Sequence, residues 1–153
     1  MKFKYLFLCS ILLILAGSMT AIAAADDYES LGDYTFDIPD GYNVRDKTDA
    51  TVAMEADGNR TIMVYKLDSV ADVDSFITLL ETTGCKLVSE DAFQSGSFDV
   101  TPYSYTYLEN QGFFYVCNDG KGTPILVASS SPNTEDPLTV DDNPARIVVD
   151  SLE

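Results

Sequence analysis

The sequence predicts an α+β fold, a twisted antiparallel β-sheet flanked by two α-helices. Three observations support this prediction. Short runs of alternating apolar residues recur along the chain, separated by the Gly, Asp, Asn and Pro turn signals that are typical of strands and hairpins. Two other segments show the i, i+3, i+4 spacing of apolar residues found in amphipathic helices. The strands must pair antiparallel, because the connections between them are too short for the crossovers that parallel strands require.

Three strands are predicted in the first half of the chain. Residues 34–38 alternate and run into the turn sequence Pro-Asp-Gly at 39–41. Residues 51–55 and 61–65 alternate on either side of Asp-Gly-Asn at 57–59, which is a strong hairpin signal. This part of the chain is therefore predicted to be mainly β.

The first helix is predicted after residues 68–72, which offer several polar caps. Its apolar stripe falls at positions i, i+3, i+4 and i+7, namely Val73, Phe76, Ile77 and Leu80. Gly84 is placed to end this helix, because glycine readily adopts the left-handed conformation that follows helix C-termini.

A second β region follows, with short strands at residues 86–88, 97–100, 103–108, 113–117 and 124–128. Turn sequences at 110–112 and 119–122 should join the last three strands into a meander. A polar loop is predicted at 129–142.

The second helix is predicted to close the chain. Asn143 is a favourable N-cap, and Pro144 suits the first helical position because it has no N–H to leave unsatisfied there. The apolar residues that follow form one helical stripe, namely Ala145, Val148, Val149 and Leu152.

Residues 1–25 are predicted to be a signal peptide. Lys2 and Lys4 precede an apolar run at 5–15, and two small-x-small cleavage sites follow at 21–25. Cleavage before Ala24 or before Asp26 fits this pattern. The alternative is an uncleaved N-terminal anchor, because residues 5–25 are about long enough to span a bilayer.

Residues 26–153 are predicted to form a single acidic domain. All 25 acids and seven of the nine bases lie beyond residue 25, so this part of the chain carries a net charge of −18, against −16 for the whole chain. Such a charge disfavours nucleic acids and anionic lipid surfaces as partners. We expect a secreted or extracytoplasmic cell-surface protein that has no membrane contact once the signal is cleaved, with loose cation association through its acids.

The complete absence of histidine excludes several chemistries. Ser-His-Asp and Cys-His hydrolysis and His-ligated zinc all need the imidazole ring. The motifs of Ser-Lys catalysis and of phosphate-binding loops are also missing. No catalytic residue, cofactor or metal site is predicted, and we expect a protein without enzymatic activity.

Two cysteines, Cys85 and Cys117, remain beyond the predicted signal peptide, which contains Cys9. In an oxidising compartment such a pair is first interpreted as a disulfide. The alternative is two buried thiols that never meet, since free cysteine packs as a small apolar residue.

Residues 36–42, Phe-Asp-Ile-Pro-Asp-Gly-Tyr, resemble the F-x-I-P-x-G-W/Y opening of PsbP-like proteins. The closing helix, which ends in Ser151-Leu152, is similar to the way that fold finishes. The resemblance implies a central antiparallel sheet flanked by helices and a binding or accessory role. The His-based metal sites of photosynthetic members have no counterpart in this chain.

Tyrosines are the candidate binding residues. Tyr103, Tyr105 and Tyr107 alternate along one predicted strand and should share a sheet face, and Tyr115 is expected to lie opposite them on the next strand. An exposed tyrosine ladder is suited to stacking on a sugar or gripping a peptide. The alternative is aromatic pairing across a half-buried face, with the hydroxyls bonded at the sheet edge.

The sequence also contains an Asn-x-Thr glycosylation sequon at Asn59, placed in a predicted hairpin turn. Taken together, these features predict an exported, non-catalytic binding or accessory domain whose partner is a protein or a cell-envelope component. The alternatives are a structural or adhesive envelope protein and a small hydrolase that uses two carboxylates.

Overall fold

Ten β-strands and two α-helices follow one another along residues 27–134 and 138–153, the part of the chain that the computed structural model describes. The strands are β1 (Tyr28–Leu31), β2 (Tyr34–Asp37), β3 (Asn43–Lys47), β4 (Thr51–Ala56), β5 (Arg60–Lys66), β6 (Lys86–Ser89), β7 (Phe93–Ser95), β8 (Phe98–Tyr107), β9 (Asn110–Asn118) and β10 (Ile125–Pro132). The helices are α1 (Val70–Thr82) and α2 (Pro144–Asp150). The predicted signal peptide lies outside the described residues.

Eight of these strands form one antiparallel sheet. Its order is β3-β4-β5-β10-β9-β8-β6, and β7 pairs with β8 beside β6. Strands β1 and β2 form a separate two-stranded sheet. The α+β class is confirmed, as is the predicted meander of β8, β9 and β10.

Two hydrophobic clusters divide the core between the two faces of the sheet. Successive strand residues point to opposite faces, and β5 shows the division. Ile62 and Val64 belong to the first cluster, whereas Met63 and Tyr65 belong to the second. Helix α2 contributes to the first cluster and helix α1 to the second.

Helix α2 begins as the sequence predicts. The side-chain oxygen of Asn143 accepts a hydrogen bond from the N–H of Ala145 at 3.1 Å, and Pro144 occupies the first turn. All four residues of the predicted stripe are buried, namely Ala145, Val148, Val149 and Leu152. The Asn143 amide also donates to the Tyr115 hydroxyl at 2.6 Å and to two loop carbonyls, so it joins the helix, the loop before it and the sheet.

Helix α1 is also confirmed, with Val73, Phe76 and Leu80 buried against the sheet. Its N-cap residue, Ser69, makes no side-chain capping bond. Gly84 follows the helix with a φ of +90°, the left-handed conformation that glycine adopts most readily. Neither helix of the described part is long and apolar enough to cross a membrane.

Strand β8 is longer than predicted, because it passes through Pro102 without interruption. Proline lacks the N–H that a central strand normally uses. On one side of β8, however, the neighbour changes from β7, which pairs with residues 98–100, to β6, which pairs with residues 103–106. Pro102 falls in this gap, where its carbonyl still accepts from the N–H of Glu90 at 3.0 Å.

The residues of the PsbP-like motif lie where β2 turns into β3. Phe36 and Tyr42 are buried in the first cluster, and Gly41 has a φ of +82°. The N–H of Tyr42 donates to the carbonyl of Pro39 at 3.0 Å and closes the turn. The local structure of this turn therefore accounts for the presence of Phe36, Gly41 and Tyr42 in the motif.

Candidate functional site

An open cavity of about 500 Å³ lies between helix α1 and the sheet. Its interior is apolar, with Phe76 and Leu80 on the helix facing side chains on the sheet. The sheet contributes residues from four neighbouring strands, namely Met63, Tyr65, Tyr105, Tyr107, Phe114 and Ala128. Its volume and apolar lining are typical of small-molecule sites. We refer to it as the α1 pocket.

The rim of the α1 pocket is polar. Its exposed lining residues are Asn59, Thr83, Glu109, Asn133 and Thr134. Glu109 and Asn133 are held together, because the N–H of Asn133 donates to the carbonyl of Glu109 at 2.8 Å. Among the lining residues that the structure describes, Glu109 is the only one with a charged side chain.

The predicted tyrosine face exists, and it is half-buried. Tyr103, Tyr105 and Tyr107 all pack against the second cluster. Tyr103 stacks on Phe114 across the β8–β9 pair, with ring centroids 4.6 Å apart, and does not line the α1 pocket. The other two tyrosines form part of the pocket wall, so the face combines aromatic pairing with a recessed surface.

Tyr105 has its hydroxyl bonded inside the sheet, whereas the sequence predicted partners at the sheet edge. The hydroxyl donates to the carbonyl oxygen of Ser129 at 2.7 Å, reaching across β9 to β10. It passes over Gly112, the residue directly opposite Tyr105 on β9. Burial raises the pKa of Tyr105 to about 12, so this phenol stays neutral under physiological conditions.

The expectation that Tyr115 joins the other tyrosines is wrong. Tyr115 pairs with Pro102, and the residue opposite Tyr103 is Phe114. Tyr115 therefore points to the other face of the sheet, where it is fully buried in the first cluster. Its hydroxyl donates to the carbonyl of Val140 at 2.9 Å and accepts from Asn143. Tyr115 supports the fold and takes no part in the α1 pocket.

The predicted disulfide is not formed in the structure, where Cys85 and Cys117 are both free and buried. The physical reason is their placement on opposite faces of the sheet, since Cys117 belongs to the first cluster and Cys85 to the second. Burial raises the pKa of Cys85 to about 11 and that of Cys117 to about 12. Both thiols are thus protonated and weakly nucleophilic near neutral pH.

The acidic side chains are dispersed rather than gathered. Within residues 27–134 and 138–153, no group of three or more Cys, Asp or Glu side chains is placed to hold a metal ion. Asp141 and Asp150 instead pair with Arg146, at 2.6 and 2.9 Å. Two acids of the predicted polar loop, Glu135 and Asp136, lie outside the described residues.

The sequon residue Asn59 lies in the turn between β4 and β5. It is exposed and has a φ of +59°. Its position on the rim of the α1 pocket would place a glycan beside the opening. Glycosylation of Asn59 stays a prediction.

Several residues of the α1 pocket were not among the predicted site residues. The helical stripe already contained Phe76 and Leu80, and the alternation of strand β5 already contained Met63. What the sequence could not provide was the strand order that places β5, β10 and β9 together beneath one helix. No protein-family model and no curated protein matches this chain.

Proposed function

We propose that this protein is an exported, non-catalytic binding or accessory domain that holds the apolar part of its partner in the α1 pocket. The observation that supports this function is the pocket itself, an apolar cavity with a polar rim. The partner would be a protein segment or a cell-envelope component that presents an apolar group. A recessed site of this kind favours binding over a purely structural or adhesive envelope role.

A role without catalysis accords with the chemistry of the lining. A carboxylate-based hydrolase needs two acids on either side of the bond it cleaves. The described lining of the α1 pocket holds one, Glu109. Cys85 also lines the pocket, but its raised pKa, about 11, keeps it in the weakly nucleophilic thiol form.

We propose a twisted sheet with one helix on each face, and a PsbP-like relationship. The placement of α1 and α2 in different clusters supports the first part. The support for the second is the motif at residues 36–42, together with the closing helix that follows a mainly antiparallel sheet.

The binding proposal can be tested with the neutral fluorescent probe N-phenyl-1-naphthylamine, which brightens in apolar sites. Ala128 and Ala53 provide a matched pair for this test. Both lie directly opposite Met63, Ala53 on β4 and Ala128 on β10, the two strands that flank β5. They share one sheet face, but only Ala128 lines the α1 pocket. Ala128→Phe should fill the cavity and reduce probe binding at least tenfold, while Ala53→Phe should retain it.

The matched pair also separates pocket binding from binding elsewhere, including at the apolar N-terminal run. Circular dichroism would establish that both variants remain folded, and Ala128→Leu offers a milder filling substitution. Equal probe binding by the two phenylalanine variants would contradict the proposal. Binding that both variants lose together would also contradict it, because Ala53 does not line the cavity.

A further inference from the structure

We infer that the α1 pocket selects a hydrophobic ammonium ion, that is, an alkyl or aryl body carrying a quaternary or protonated amine. This inference rests on the proposed binding function and adds the charge of the ligand. It follows from three features of the described residues: the single negative charge on the rim, the aromatic lining and the hydrogen bond that the Tyr105 hydroxyl already donates.

The rim charge favours a cation. Glu109 is the only charged side chain in the described lining, which contains no lysine or arginine. An anionic amphiphile such as a fatty-acid carboxylate would bring its charge to a carboxylate that has no lysine or arginine beside it in the described lining. An ammonium ion at the same place gains a favourable interaction with Glu109, and the net charge of −16 attracts it over longer distances.

The aromatic lining also favours a cation. Five rings line the cavity, namely Tyr65, Phe76, Tyr105, Tyr107 and Phe114. Ring faces carry partial negative charge and attract ammonium groups, and aromatic pockets are a known way to bind quaternary ammonium ligands. The rings also bury an alkyl or aryl body. The body would occupy the interior, and the ammonium group would lie near Tyr107 and Glu109.

The Tyr105 hydroxyl adds a third argument. Its proton is already donated to Ser129, at 2.7 Å, so towards a ligand its oxygen can only accept. With a pKa of about 12 it does not become a charged partner itself. An anion beside Tyr105 would need a hydrogen-bond donor there, and this buried phenol is not available as one. A quaternary ammonium ion needs none.

The inference can be tested by displacing N-phenyl-1-naphthylamine with three ligands that share a decyl chain: decyltrimethylammonium, 1-decanol and decyl sulfate. The two ionic ligands would be used below their micelle-forming concentrations and decanol below its solubility limit, all at low ionic strength. We expect decyltrimethylammonium to displace the probe at about fivefold lower concentration than decanol, as one carboxylate and the ring faces would produce. Decyl sulfate should be the weakest competitor.

A matched pair of charge-removing variants tests whether the rim acid is responsible. Glu109→Gln removes the charge on the rim, and Asp40→Asn removes one from an exposed turn residue that does not line the α1 pocket. Glu109→Gln should lose most of the preference for decyltrimethylammonium over decanol, and Asp40→Asn should keep it. Added salt should reduce the preference in the unsubstituted protein.

The outcomes distinguish this inference from the function on which it rests. Equal displacement by all three ligands, preference for decyl sulfate, or an equal effect of the two variants would overturn the inference and leave the binding function standing. Failure of the neutral probe to bind at all would overturn both.

Discussion

At the scale of single residues, Gly112 occupies a position in the sheet that has no room for a side chain. A Cβ atom built on it would lie 2.0 Å from the carbonyl oxygen of Ser129 and 2.9 Å from the hydroxyl oxygen of Tyr105. The first contact is to backbone, which cannot move aside without disturbing the β9–β10 pairing. Glycine is therefore required here for space, and the absence of a side chain leaves room for the hydrogen bond from Tyr105 to Ser129 that holds the Tyr105 ring in the α1 pocket wall.

We predict that Gly112→Ala lowers the free energy of unfolding by about 3 kcal/mol, as expected when a side chain is forced into a packed site. The matched control is Gly84→Ala. Apart from its chain neighbours, a Cβ atom on Gly84 would meet no described residue within 4 Å, and only the φ of +90° opposes the change, so about 1 kcal/mol is expected. Urea unfolding of the two variants measures the difference, and equal midpoints would refute the steric account.

The tyrosine face shows what can be predicted for single residues. The shared face of Tyr103, Tyr105 and Tyr107 was predictable, because alternation along one strand is a local property. The placement of Tyr115 was not, because it depends on the register between β8 and β9. A change of one residue in register moves a side chain to the opposite face. The α1 pocket depends on the same non-local information.

At the scale of elements, the two helix starts differ. Asn143 caps α2 and binds three further groups through its amide, the Tyr115 hydroxyl and the carbonyls of Thr139 and Val140. It is 7% exposed, and the Ala145 N–H that it caps is buried, so a substitution leaves that N–H without an acceptor. Ser69 occupies the equivalent position at α1 without a capping bond, and its hydroxyl donates instead to Asp72.

We therefore predict that Asn143→Ala lowers the free energy of unfolding by about 2–3 kcal/mol, the sum of a lost cap on a buried N–H and of the lost bonds that join the helix to the loop and the sheet. Ser69→Ala should lower it by no more than about 0.5 kcal/mol. Thermal or urea unfolding of both variants provides the comparison. A loss at Asn143 no larger than the loss at Ser69 would show that the amide contributes nothing beyond an ordinary helix start.

Each element that the sequence predicted is marked by a local sequence pattern that spans only a few residues. Both helices carry caps and stripes, and the hairpin at 57–59 carries its own turn sequence. Strands β1, β3 and β7 were not predicted, because they are short and are specified by their partners. Strand β10 continues to Pro132 through three serines, a composition that is typical of loops. Two of these serines are nevertheless buried, Ser129 and Ser131.

At the scale of the whole molecule, the described acids lie outside the buried core. Among residues 27–134 and 138–153, twenty buried residues form the first cluster and nine form the second. Such a core allows the chain to fold despite the mutual repulsion implied by a net charge of −16. Both thiols belong to these clusters, so their protonation is linked to unfolding.

This linkage predicts a loss of stability in alkaline solution. The folded protein holds the pKa of Cys85 at about 11 and that of Cys117 at about 12, against 9.0 for an unperturbed thiol. Between pH 9 and pH 10 the unfolded chain therefore binds fewer protons than the folded one, and stability falls as the pH rises. Ionisation of the two thiols in the unfolded chain should together lower the free energy of unfolding by about 2 kcal/mol between pH 9 and pH 10.

The Cys85→Ala, Cys117→Ala double variant is the control for this prediction. Its absolute stability will be lower because two buried sulfur atoms are removed, so the quantity to compare is the change between pH 9 and pH 10. Urea unfolding under non-reducing conditions should show a steeper loss in the unsubstituted protein than in the double variant. A disulfide between the two cysteines would leave no thiol to titrate, and the two proteins would then lose stability equally. The pH dependence thus tests, in the whole molecule, whether both cysteines are buried free thiols.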